Sequence, residues 1–163
     1  MNEAPIAVIF PGQGSQRAGM GKDFYDEFPE SRTIFEEASD ILGWNVAAMC
    51  FETNGSLHQT EYSQPCILTT EVAMYVGIQN RFNLSPNVFG GHSLEEYAAM
   101  VAAGAMPFLE MLQIVEKRGK YMQKAAPGAG RRMVAVIGEN INVDSVRDSI
   151  RFLQDRTHVP GER

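Results

Sequence analysis

The sequence predicts an α/β fold, and three observations carry the prediction. Residues 4–10, "APIAVIF", form a short continuous apolar run stopped by Pro11 and Gly12, the pattern of a buried strand in a parallel sheet. A second short run, in "SPNVFGGHS", leads through two glycines into a helical segment. Between and after these runs, apolar residues recur at spacings of three and four, so strands alternate with helices.

The elements follow in order. After the first strand comes "PGQGSQRAGMGK", a loop with four glycines. A helix is expected from Pro29 to Leu42, with Ile34, Phe35, Ala38, Ile41 and Leu42 at helical spacing, Pro29 in its first turn and Gly43 as its stop. Another is expected over 65–82, with Ile67, Leu68, Val72, Tyr75, Val76 and Gln79 on one stripe. "LEEYAAMVAAG" reads as a helix closing at Gly104, and Pro107 opens a further helix to about Ala125. Composition then shifts: "APGAGRR" is a linker, "MVAVIG" a strand and "VDSVRDSIRFL" the helix behind it, before a polar tail. This divides the chain into a core over 1–126 and, over 127–163, a linker with the first βα unit of a smaller subdomain. A lone βα unit cannot complete a sheet, so the chain is expected to be cut short.

Composition narrows the function. The 163 residues are enough for about one domain, which if compact buries roughly 70% of its unfolded surface. A formal net charge of −6 argues against a nucleic-acid partner. No uncharged apolar run approaches the ~20 residues that span a bilayer, and the N-terminus lacks the basic, long-apolar pattern of a signal peptide. The expected location is the cytoplasm. Cys50 and Cys66 have neither metal-ligand nor redox spacing and read as buried free thiols. Three scattered histidines make no case for a metal. Six basic residues (Lys117, Arg118, Lys120, Lys124, Arg131 and Arg132) lie within 117–132 with no acid among them, a patch suited to an anionic ligand or to water.

Three places could carry chemistry. Ser93 lies between a glycine turn and a helix start, where an α/β-hydrolase-type nucleophile sits on a strained strand-to-helix turn. Equally, Ser93 could be an N-cap, with Glu96 completing a capping box. The motif alone leaves both open, because Glu95 stands where G-x-S-x-G has its second glycine. The glycine loop fits neither G-x-G-x-x-G nor a P-loop, since Gln16 occupies the position of the P-loop's first glycine. Following the first strand, it could instead offer the Gln13 N–H to an oxyanion. On the 107–125 helix, Arg118 shares a face with Ile114, Tyr121 and Met122, and no acid lies three or four residues away. An arginine on an apolar face needs a partner, such as a ligand carboxylate, a distant acid or water. His92 is a poor base for its neighbour, and His58 reads as a surface residue.

Taken in order, "FPGQGSQ", "SQPCILTTEVAMY", "GHSLEEYAAM" and "EKRGKYMQ" resemble malonyl-CoA:acyl carrier protein transacylases and the acyltransferase domains of polyketide synthesis. The resemblance runs from about Ile6 to Leu153 and favours Ser93 as nucleophile. It implies a hydrolase-like core followed by a small ferredoxin-like subdomain. Ser93 would take malonyl from malonyl-CoA as an ester and pass it to the phosphopantetheine thiol of an acyl carrier protein. The N–H groups of Gln13 and Leu94 would form the oxyanion hole. Gln64 and His92 would line the pocket, and Arg118 would pair with the malonyl carboxylate; no cofactor is needed. Two departures stand out. Glu95 replaces the family's glycine, where it could crowd the turn, repel malonate, or point outward at the helix N-terminus. The family's catalytic histidine lies in a later segment, and His158 matches no such motif, so a complementing C-terminal segment is expected to supply the base. Two other readings remain: a proofreading acyl hydrolase, against which Arg118 speaks, and a non-catalytic module that docks a carrier protein on the basic patch.

Overall fold

The structure, a computed structural model, describes residues 5–53, 55–125, 142, 144 and 146–148. The chain divides into two compact units, Met1–Pro127 and Gly128–Arg163. In the second, Asp144 and residues 146–148 are helical, with the Val146 N–H donating to the Asn142 carbonyl. The "MVAVIG" strand, most of the helix expected after it, and His158 fall outside the described residues, as does any ferredoxin-like subdomain.

The first unit holds a two-stranded parallel sheet and six α-helices among the described residues. Strand β1 (Ala7–Ile9) pairs with β2 (Val88–Gly90) in the register Ala7 to Val88, Val8 to Phe89 and Ile9 to Gly90. The helices are α1 (Lys22–Glu27), α2 (Pro29–Leu42), α3 (Val46–Phe51), α4 (Thr60–Phe82), α5 (Glu95–Ala102) and α6 (Phe108–Ala125). Parallel pairing is as expected, but burial on both faces is not: Ile9 is 70% and Val88 57% exposed. Within the described residues the sheet has one covered side, where Phe10 and Phe89 each meet the Tyr75 ring edge-on.

Helix α2 has the bounds its sequence signals. Pro29 supplies the preset φ of a first turn, and Gly43 ends the helix in the left-handed region at φ 74°. Phe35 and Ala38 face inward, and Phe35 packs with Tyr25 and Phe51 at ring distances of 5.7 and 5.4 Å. Full burial of such a ring contributes roughly 2–3 kcal/mol. Helices α1 and α3 carry no strong periodicity because each has only six residues; Asn45 caps α3 by accepting from the Ala48 N–H at 2.8 Å.

Helix α4 departs from expectation at its start. It begins at Thr60, so Pro65 lies inside it and deprives the Glu61 carbonyl of an N–H partner. The helix survives because it is the centre of the unit: every residue from Ser63 to Ala73 is buried, against α2, α5 and α6. Burial all round replaces the single stripe expected from the sequence. Helix α6 crosses the start of α4 closely. A β-carbon on Gly119 would lie 2.9 Å from the Thr60 carbonyl oxygen and 3.5 Å from that of Glu61. Gln123 closes the crossing by accepting from the Thr60 N–H at 2.9 Å. This contact sets the height at which Arg118 stands over α4.

Candidate functional site

The site is built where the β2–α5 turn meets α4 and α6. Strand β2 ends at Gly90, and a β-carbon on Gly91 would fall 2.4 Å from the backbone of Glu95, so only glycine permits the turn to fold onto the start of α5. Ser93 follows at φ 62°, a left-handed conformation that costs a non-glycine residue about 1 kcal/mol or more. The turn is tied by Glu96, whose Oε1 accepts from the Ser93 N–H at 3.0 Å. That is half of the expected capping box. The other half is missing, since Ser93 Oγ is turned away from the helix and accepts from Arg118 Nη2 at 2.9 Å.

Arg118 is the hub. Its Nη1 donates to Gln64 Oε1 at 2.6 Å, its Nη2 to Ser93, and its guanidinium lies 5.6 Å from the centre of the Tyr97 ring. Gln64 is fully buried and donates onward from Nε2 to Met122 Sδ at 3.2 Å. Among the described residues no carboxylate forms an ion pair with Arg118. The expected apolar face is corrected here. The buried stripe of α6 is Phe108, Met111, Leu112, Val115 and Gly119, whereas Ile114, Tyr121 and Met122 are exposed. Arg118 stands at the edge of the buried stripe, half-buried, with its fork facing Ser93.

The two candidate oxyanion donors lie on segments that meet at Glu95, to whose Oε2 a β-carbon on Gly12 would approach within 3.7 Å. Leu94 is buried and forms the N-terminal boundary of α5. The glycine loop closes by Ser15 N–H donating to the Gly12 carbonyl and Gly14 N–H to Gln16 Oε1. Neither the Gln13 nor the Leu94 N–H completes a hydrogen bond of full geometry among the described residues. Of the other candidates, His92 and His58 are exposed, and neither ring is hydrogen-bonded to Ser93. Among the described residues, then, no histidine is placed to take the serine's proton. No helix there is long and apolar enough to cross a membrane, and no cluster of three or more His, Cys, Asp or Glu could hold a metal.

Tyr97 and Glu71 escaped sequence reasoning, and Glu95 took one of the placements it had left open. Tyr97 falls on the elbow helix four residues after Ser93, a spacing that could have flagged it. Glu95 does not point outward: it is 1% exposed, with its carboxyl folded into the interior. Burial raises its pKa, against the lowering effects of its own N–H, His92, the Gln13 N–H and Arg118. Glu71, on α4 and 7% exposed, is pushed up to about 9 by burial and by the charge of Glu95. No oxygen of either side chain completes a hydrogen bond of full geometry. Glu71 also borders a cavity of about 650 Å³ behind the glycine loop, lined in part by Ser15, Arg17, Asp23 and Thr70. Cys50 and Cys66 are buried free thiols, as expected, and their contact pushes the Cys66 thiol upward.

Residues 7–161 match the acyl transferase domain family. The chain belongs to that family. This acyl transferase chain is 40% identical over 134 residues to the malonyl CoA-acyl carrier protein transacylase of Bacillus subtilis (strain 168), a match covering 82% of the chain and 42% of the relative. It is 41% identical over 134 residues to the transacylase of the same name from Escherichia coli (strain K12), covering 82% of the chain and 43% of the relative. Among solved structures, it is similar to a malonyl-transacylase in complex with its type II polyketide synthase acyl-carrier protein. There the TM-score is 0.72 and the identity 40%, covering 76% of this chain and 40% of the other. The Coxiella burnetii transacylase gives 0.72 and 41%, with 76% and 39% covered. The acyl transferase chain therefore spans less than half the length of these relatives, and it corresponds to their N-terminal portion.

Proposed function

We propose that this acyl transferase chain carries the nucleophile and carboxylate clamp of a malonyl-CoA:acyl carrier protein transacylase working in the cytoplasm. The observation that carries the reading is the Arg118 fork on Ser93 Oγ, a cation that forms no ion pair with a carboxylate among the described residues. A malonyl carboxylate would take the guanidinium in a bidentate pair. With Nη2 only 2.9 Å from Oγ, a single methylene between carboxylate and thioester brings the acyl carbon to the serine. Longer dicarboxylates overshoot, and acetyl leaves the cation unpaired.

Ser93 Oγ then attacks the thioester carbon, its proton passing to a base outside the described residues. The carbonyl oxygen, now an oxyanion, accepts from the Gln13 and Leu94 N–H groups at the positive end of α5. Collapse breaks the C–S bond and releases coenzyme A as the thiol, leaving the malonyl ester on Ser93. The phosphopantetheine thiol of an acyl carrier protein repeats the attack in reverse order, loses its proton, and frees the serine. Gln64 holds one arm of the fork and Tyr97 its face. His92, exposed at the mouth, contacts substrate and does not serve as base. No cofactor enters. A relative's solved complex with its carrier protein supports a carrier protein as acceptor.

The test is the intact mass of the chain after incubation with malonyl-CoA, alone and with a purified C-terminal segment of a relative added. A malonyl adduct that is absent in Ser93→Ala supports the reading. No adduct in either mixture, from folded protein, would sink it.

A further inference from the structure

Glu95 is the most unusual feature of the site, because it places a buried acid where the resemblance calls for glycine. Its carboxyl lies against the underside of the glycine loop: a β-carbon built on Gly12 would sit 3.7 Å from Oε2 and 3.9 Å from Cδ. The next residue in that loop is Gln13, whose N–H is close enough to act on the carboxyl. The side chain thus bridges the two halves of the candidate oxyanion hole, starting one residue after Leu94 on α5 and ending at Gln13 on the loop after β1. A glycine at position 95 would leave that space empty.

We propose that Glu95 is a positioning residue of the oxyanion hole: as the neutral acid it props the Gly12–Gln13 loop and leaves the Gln13 N–H free, and as the carboxylate it takes that N–H for itself. The inference rests on the transacylase reading for the role of Gln13, while the geometry of the bridge does not depend on it. A carboxylate and an acyl oxyanion cannot both accept from one N–H, and two negative charges there would repel. The groups facing Glu95 set the balance. Glu71 faces it from α4, His92 from the elbow and Arg118 from α6, with the N–H groups of Glu95 and Gln13 adding to the cations. Burial outweighs them and holds the proton on Glu95 above the usual glutamate range. The charge on Glu95 opposes the ionisation of Glu71.

The experiment is a pH titration of the ¹⁵N-labelled chain, following the Gln13 backbone amide from pH 4 to 9, in wild type, Glu95→Gln and Glu71→Gln. The Gln13 amide is expected to move in one step centred above the ordinary glutamate value. That step is expected to vanish in E95Q and persist in E71Q. A step that survives in E95Q, or no step in wild type, overturns the proposal. The functional consequence is read separately, as the rate of malonyl adduct formation at Ser93 against pH. With Glu95 ionised, loading is expected to drop by about a hundredfold, the effect of losing one oxyanion-hole donor, while E95Q stays level. A purely structural Glu95 would shift both limbs of the profile together. If no adduct forms at any pH, alone or with the C-terminal segment added, the transacylase reading fails, and the amide titration still decides the bridge.

Discussion

Replacing Glu71 with glutamine should make the protein more stable as pH rises, and the size of the effect follows from the site. Glu71 is buried on α4, its oxygens complete no hydrogen bond of full geometry, and burial with the charge of Glu95 raises its pKa to about 9. In the unfolded chain the same carboxyl titrates near 4.3. A group whose pKa is raised by folding contributes stability that is fully present below the unfolded value and is lost as pH rises through the folded one. Between about pH 4.3 and pH 7 the unfolded state gains roughly 4 kcal/mol by ionising Glu71, at about 1.4 kcal/mol per unit. That is a large share of the roughly 5–15 kcal/mol that holds a typical domain together. Glutamine has the same shape and cannot ionise, so E71Q escapes the loss. The assay is urea unfolding at several pH values from 5 to 8, followed by the fluorescence of Trp44, the single tryptophan, which packs edge-on against Tyr62 of α4. Burying an amide in place of the acid has a cost of its own, but that cost does not vary with pH. The difference in stability between variant and wild type should therefore widen by about 1.4 kcal/mol per pH unit. Parallel stability curves would refute the reasoning, since they would mean that Glu71 ionises as easily in the folded protein as in water.

The other predictions concern the clamp and its supports. Arg118→Ala should reduce malonyl loading on Ser93 by about a hundredfold and leave acetyl loading within a few-fold, a lost hydrogen-bonded charge pair being worth about 3 kcal/mol; competition between the two thioesters, read by mass, checks it. Gly119→Ala should destabilise the unit by about 1–3 kcal/mol, because its new methyl meets the Thr60 carbonyl at 2.9 Å; thermal melting gives the number. Tyr97→Leu keeps the helix and removes the ring beneath the guanidinium, so affinity for malonyl-CoA should weaken by about 0.5–2 kcal/mol with little change in melting temperature. Equal losses of affinity for malonyl- and acetyl-CoA would show that Tyr97 does not act through Arg118.

Local signals were legible where the physics is local. Pro29 and Gly43 bound α2 by fixing φ at one end and permitting φ 74° at the other, and no partner is needed for either effect. The glycines before Ser93 marked the turn for the same reason: the backbone there requires residues without a β-carbon. What tertiary structure decided is everything in which a distant neighbour outweighs a local preference. Pro65 would normally end or begin a helix, yet α4 runs through it because burial on every side offsets one lost hydrogen bond. Arg118 finds its partners 54 and 25 residues away, at Gln64 and Ser93, so no spacing within α6 could name them. For Glu95 the sequence left open crowding of the turn, repulsion of a malonate and an outward position at the helix N-terminus. Glu95 went inward because the fold places Gly12, which has no side chain to exclude it, directly against its carboxyl. Sequence by itself determined the alternation of strands and helices, the bounds of α2 and the glycine turn before Ser93, since conformational restriction belongs to single residues; the short helices α1 and α3, the start of α4, the clamp and the buried acids belong to the packing of separate segments, which only the folded chain brings together.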